Sequence, residues 1–162
     1  MSNPDYRNDT PLHLAAKSND LEKVKMLIED GANVNARNYH NDTPLHVAVR
    51  YGNTKIIEEL LNNDAYVDAR NQFNNTPLHI ASIDENVNSV KILLKNKAFI
   101  NSIDNYGNTP LHLAARSRNL ELLKTLIDNG ADVSIKNNNN RLPVDLSRSV
   151  HIIEFLKSVK SV

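Results

Sequence analysis

The sequence predicts an all-α solenoid: short helix–turn–helix units stacked side by side and joined by hairpin-like finger loops. Three observations predict it. Thr-Pro-Leu-His recurs at Thr10–His13, Thr43–His46, Thr76–His79 and Thr109–His112, each 33 residues after the last. The same step aligns small residues (Ala15, Ala48, Ala81, Ala114) and turn residues (Asn8, Asn41, Asn74, Gly107, Asn140). It also aligns apolar pairs at Leu27-Ile28, Leu60-Leu61, Leu93-Leu94 and Leu126-Ile127. A fixed period of this length is the signature of repeats that bury their apolar faces only against one another.

Each unit reads the same way from its start. Thr before Pro opens a helix, because the hydroxyl caps free N–H groups and Pro occupies the first turn without losing a hydrogen bond. Leu12, Leu14, Ala15 and Ala16 give about two turns with a small, flat face, so neighbouring units can approach closely. Asn19-Asp20, Gly52-Asn53, Glu85-Asn86 and Arg118-Asn119 break that helix. A second helix runs over residues 21–30 in the first unit, with Val24, Leu27 and Ile28 on one face. Gly31 and Gly130 suit the left-handed residue that closes it, whereas Asp64 and Lys97 in the same column are expected to be strained by up to about 1 kcal/mol. Residues 34–38 and their equivalents then lead to the Asn/Gly column, where a tight turn needing positive φ makes the tip of a finger.

A fifth, degraded copy follows as Leu142–Leu146, with Asp145 in place of His, and runs about three residues short before Val150–Leu156. Lys23 takes a column held by Ile56 and Leu122, as suits an outer face; Ser89 is equally polar there in mid-array. The expected organisation is one domain over 1–162, with units at about 5–37, 38–70, 71–103 and 104–136 and a capping unit at 137–162. With Ser82, Glu85 and Lys97 off the pattern, the third unit is expected to be the least stable.

The 33-residue period, Thr-Pro-Leu-His-Leu-Ala-Ala at Thr10–Ala16 and Thr109–Ala115, and Asp30-Gly-Ala-Asn-Val-Asn35 closely resemble the ankyrin repeat. The resemblance runs from about Asp5 to the C-terminal end. It implies a preformed concave surface that holds another protein, without cofactor or chemistry of its own. It also implies that His13, His46, His79 and His112 hydrogen-bond the backbone of the neighbouring finger. Asn35 and Asn101 match the position at which ankyrin-like proteins are asparagine-hydroxylated, and are candidate modification sites.

Composition and motifs agree with a binding role. Nineteen basic residues balance nineteen acidic ones, so no global field draws the chain to nucleic acid or an anionic membrane. Without cysteine there are no disulfides, thiol nucleophiles or Cys-ligated metals. One His per unit, about 10 Å apart on packed-helix spacing, cannot share a zinc at about 2 Å. Phosphate-cradling loops and nucleophile elbows are absent, and acidic residues such as Glu22, Glu58, Glu59 and Glu121 sit at helix-surface positions. Arg37, Arg70 and Lys136 share one finger column, with Arg7, Arg50 and Arg116 nearby, but Asp9, Asp42, Asp68 and Asp84 dilute them. The expectation is a non-enzymatic, monomeric, cytoplasmic protein that binds no cofactor, metal, nucleic acid or membrane. The alternatives are an exported effector of an intracellular pathogen and the regulatory ankyrin domain of a larger enzyme.

Transferring the family's binding surface position by position gives exposed finger columns at Tyr6-Arg7-Asp9, Tyr39-His40-Asp42, Gln72-Phe73-Asn75 and Asn105-Tyr106-Asn108. The exposed first-helix positions become Lys17-Ser18, Arg50-Tyr51, Ile83-Asp84 and Arg116-Ser117. Five of the eight aromatics fall there, and Tyr and Arg are enriched where binding energy concentrates. The expected binding centre is Tyr39, Tyr51, Phe73, Ile83 and Tyr106, rimmed by Arg50 and Arg116.

Overall fold

The computed structural model describes residues 8–159. Four helix pairs follow one another: α1 (Pro11–Lys17) and α2 (Leu21–Glu29), α3 (Pro44–Arg50) and α4 (Thr54–Asn62), α5 (Pro77–Ile83) and α6 (Val87–Lys95), α7 (Pro110–Ala114) and α8 (Leu120–Asp128). A 3₁₀ turn at Pro143–Leu146 and α9 (Val150–Ser158) close the stack. The first helices pack in a row, α1 on α3 on α5 on α7 on the 3₁₀ turn, and the second helices in a parallel row, α2 on α4 on α6 on α8.

The core lies between the rows. Leu12, Leu45, Leu78 and Leu111 from the first helices meet Val24, Ile57, Val90 and Leu123 from the second, all buried. Ala15, Ala48, Ala81 and Ala114 are buried beside them, which is why that column is small. Lys23 is exposed, whereas Ile56, Ser89 and Leu122 in the same column are buried. The Ser89 hydroxyl has no hydrogen-bond partner there.

Each first helix starts with a reciprocal cap in which His replaces the usual Glu or Gln. The Thr10 side chain accepts from the His13 N–H at 3.4 Å, and His13 Nδ1 accepts from the Thr10 N–H at 3.2 Å. Thr43 with His46 and Thr109 with His112 repeat the arrangement. The first three of these helices end in a left-handed residue, Asn19, Gly52 or Glu85. Arg118 in that column does not adopt it. There Ser117 Oγ accepts from the Asn119 N–H at 3.1 Å, making a side-chain turn, and α7 is two residues shorter. The second helices close on Gly31, Asp64, Lys97 and Gly130, all at positive φ.

The fingers are tight turns in register. Asn38 N–H donates to Asp42 O and Asn41 N–H to Asn38 O, with Asn41 at φ 57°. Asn71–Asn75, Asp104–Asn108 and Asn137–Arg141 form the same turn, with Asn74, Gly107 and Asn140 left-handed. Successive tips are tied by Gln72 N–H to His40 O, Asn105 N–H to Phe73 O and Asn138 N–H to Tyr106 O. Gly107 has a second reason beyond its φ of 73°: a Cβ there would run into the Asn138 backbone and side chain.

The fifth copy departs as its sequence suggests. A 3₁₀ turn stands where the first helix would be, and α9 begins three residues before the column that starts the other second helices. Asp145, in the His column, turns its carboxylate back to accept from the Leu142 N–H at 2.9 Å.

Candidate functional site

The four aligned histidines hold the stack together. Each Nδ1 accepts from the N-cap N–H, which leaves the proton on Nε2, and Nε2 donates to a carbonyl of the next finger. The acceptors are Asp42 O for His13, Asn75 O for His46, Asn108 O for His79 and Arg141 O for His112, at 2.9–3.1 Å. All four rings are fully buried. Burial, the dominant influence, holds His46 down at about 4 despite its bond to the Asn75 carbonyl and the nearby Asp42. It lowers His79 and His112 as well. Among the described residues no group of His, Asp and Glu is arranged to hold a metal ion.

A second polar column runs beneath the finger tips. Asn38 Nδ2 donates to Asp9, Asn71 Nδ2 to Asp42 and Asn137 Nδ2 to Asn108, at 2.6–2.9 Å. At the remaining junction the donor residue is Asp104, an acceptor, and Asn75 Oδ1 is buried without a partner. Asp42 corrects the sequence reading, which carried it over as an exposed finger position. It is buried, bonded by Asn71 and paired with Arg50 at 3.0 Å, its side chain only 5% exposed. Burial pushes its carboxyl up, but the Asn71 bond and the Arg50 charge outweigh that and hold it below the ordinary value. Asn75 and Asn108 in the same column are half-buried rather than exposed. So are Arg50 at the end of α3 and Ser117 just past α7.

The finger-column arginines are also committed. Arg37 donates to Asn41 O and, at 2.6 Å, to Arg70 O of the next unit; Arg70 donates to Ile103 O at 2.9 Å. A guanidinium whose donors are tied to backbone carbonyls is held as a staple between fingers, not presented as a free cation. Asn35 bridges in the same direction: its Nδ2 donates to Asp64 O and its Oδ1 accepts from the Tyr66 N–H. Asn101 repeats the contact with Gly130 O and the Asp132 N–H. Both candidate modification positions thus carry a seam hydrogen bond at each end of the amide.

Against this committed background stand the apolar side chains. Tyr39, Tyr51, Phe73, Ile83 and Tyr106 are between 47% and 69% exposed. Tyr39, Phe73 and Tyr106 stand on the finger tips, while Tyr51 and Ile83 end α3 and α5. Fingers and first helices share one hollow of about 350 Å³, lined by His40, Phe73, Arg50, Tyr51 and Asn71. A second, of about 400 Å³, is lined by Ile83, Glu85, Leu113, Arg116 and Ser117. Lys17 Nζ lies 6.0 Å from the centre of the Tyr51 ring. Tyr6 and Arg7, the first finger's contribution, lie outside the described residues.

Six further large apolar residues are exposed where the sequence did not mark them: Leu14, Met26, Tyr66, Phe99, Ile103 and Val150. Leu14, expected on the packed face of α1 beside Leu12, turns instead to solvent. Tyr66 and Phe99 share a column just past the second helices, and Tyr66 lines a separate hollow with Arg37 and Arg70. Equal spacing of 33 residues between two aromatics was the available signal. No helix among the described residues is long and apolar enough to cross a membrane.

The family model described as ankyrin repeats (three copies) matches residues 1–71 and 65–137. No curated protein matches the chain. Ankyrin repeats are generally protein–protein interaction modules and typically non-catalytic. With the repeat cap and the His-to-finger bond recurring in each of the four full units and the family model covering most of the sequence, this chain belongs to the ankyrin-repeat family.

Proposed function

We propose that this protein is a non-catalytic adaptor or competitive inhibitor that binds one partner protein on its finger and first-helix face. The observation that carries the reading is the group of five large apolar side chains, Tyr39, Tyr51, Phe73, Ile83 and Tyr106, exposed on that face. Solvent-facing aromatics of this kind, beside shallow hollows and flanked by Arg50 and Arg116, are what a protein-binding centre requires. The backbone beneath them is fixed by the tip-to-tip bonds, so little ordering cost attends binding. Asn35 and Asn101 remain candidates for hydroxylation, a modification that would fall on the seam rather than on the binding centre.

Affinity capture from lysate of the source cells, with the protein and its Phe73→Ala/Ile83→Ala variant side by side, tests the reading. The variant should lose the partner while its helical circular dichroism and melting stay nearly unchanged, because both side chains are about half exposed. A partner kept equally by both proteins would move the centre elsewhere. A large loss of stability would make these side chains part of the core.

A further inference from the structure

Three arginines border one hollow at the seam between the fourth repeat and the C-terminal unit. Arg116, just past α7, and Arg141 and Arg148, on either side of the 3₁₀ turn, are all exposed. They line one hollow of about 480 Å³ together with Asn108, Asp145 and Ser147. Among the described residues the three guanidiniums have no ion-pair or hydrogen-bond partner, unlike Arg37, Arg70 and Arg50.

The repeat columns explain why. Arg116 is the counterpart of Arg50, but the residue matching Asp42 is Asn108, so its carboxylate is missing. One unit later the same column holds Arg141, which adds a cation where the other units have Asp or Asn. Among the described residues Asp145 is the sole acidic one lining the hollow, and one of its oxygens is taken by the Leu142 N–H. Three cations against one carboxylate (3 − 1) leave a local charge of +2 in a chain whose net charge is zero. Like charges around one concavity repel, and an anion of matching charge relieves them.

We propose that this hollow takes a phosphorylated Ser or Thr side chain of a partner peptide. A phosphoryl group carries about −1.5 to −2 at neutral pH and presents three acceptor oxygens, which suits three guanidinium forks and a local charge of +2. A carboxylate would leave half of that charge uncompensated. The Ser147 hydroxyl accepts from the Ser149 N–H and keeps its own proton to donate. Arg116 also borders the hollow at Ile83, so a peptide on the apolar centre reaches the cationic hollow without a break. The inference therefore rests on, and deepens, the reading of this face as the protein-binding surface.

The test presents the purified protein with immobilised degenerate peptide libraries whose central residue is phosphoserine, Glu or Ser. The phosphoserine library should be retained at least tenfold better than either other. Arg141→Gln/Arg148→Gln should cut that retention about tenfold at unchanged melting temperature. In titrations of the unaltered protein with the phosphoserine library, amide shifts should concentrate at residue 108, residue 116 and residues 141–148, which decides the matter even if the variant fails to fold. Equal retention of the phosphoserine and Ser libraries, or shifts elsewhere, overturns the proposal. Equal retention of the Glu library makes the site a carboxylate reader instead. Adsorption to phosphatidylserine vesicles that depends on the same arginines, without peptide preference, makes it a lipid site. A protein that shows no phosphoserine preference but still loses its lysate partner on Phe73→Ala/Ile83→Ala keeps the binding face and overturns this inference alone, so the two readings can fail separately.

Discussion

Acidification from pH 7 to pH 5 should weaken this fold through its buried histidines, and His46 sets the scale. Its ring is fully buried, with Nδ1 accepting from the Thr43 N–H at 3.1 Å and Nε2 donating to Asn75 O at 3.0 Å. A second proton would have to enter on Nδ1, facing an N–H donor, in a site already stripped of water. The folded group therefore stays neutral until about pH 4, whereas the unfolded one takes up its proton near 6.5. A lowered folded value means that the unfolded chain binds more protons below pH 6.5. Stability is thus complete above that pH, falls as the pH drops, and stops falling below about 4. For His46 alone, linkage gives a loss of about 2 kcal/mol between pH 7 and 5. His79 and His112, lowered by the same cause, add to it. Asp42, held below its ordinary value, stays ionised over this range and does not contribute. Urea unfolding at pH 7 and 5, compared with His46→Gln, measures the effect; the variant should be less stable throughout but lose about 2 kcal/mol less on acidification. If the His46 ring protons of the folded protein titrate near 6.5 by NMR, the reasoning fails.

Lys97→Gly should stabilise the protein by about 0.5–1 kcal/mol, because it removes a left-handed side chain at φ 65° and returns only part of that gain to the unfolded chain. Gly130→Ala in the same column should do the reverse by a similar amount, since its added Cβ meets nothing within 4 Å and only the conformation is penalised; equal urea midpoints for all three proteins would show that the column is unstrained. Asp104→Asn supplies the amide donor missing opposite Asn75 and should raise the unfolding free energy, followed by urea, by up to about 1 kcal/mol. A loss of similar size would show that Asn75 already turns its NH₂ toward the Asp104 carboxylate.

What could be read in advance was whatever every unit repeats. The Thr-Pro start, the His column, the small alanines and the left-handed Asn/Gly turns are demanded by geometry at each step, so periodicity exposes them. Asp64 and Lys97 were legible as strained because Gly31 and Gly130 mark what their column needs. Contacts between columns were harder. Asp42 read as exposed because it flanks a turn, but its carboxylate faces Asn71 of the next unit and Arg50 of its own, a relation 29 residues one way and 8 the other. Arg37 and Arg70 read as a basic stripe because charge is visible in a sequence and a carbonyl acceptor 33 residues away is not. The cationic hollow escaped for the same reason: Arg141 and Arg148 belong to the degraded unit, where column alignment is weakest.

The seam bonds have a genetic corollary. His to the following finger carbonyl, Asn to the preceding Asp or Asn, and Arg to the following backbone each join residues at an offset that is constant for that kind of bond. Unequal crossing-over that adds or drops 33 codons between equivalent points therefore rejoins each donor with an acceptor of the same kind. A slip of any other size strands a buried imidazole and a finger carbonyl together. Lineages can lengthen or shorten such a gene by whole modules and keep every seam bond matched, leaving only the surface side chains to be tuned to a partner.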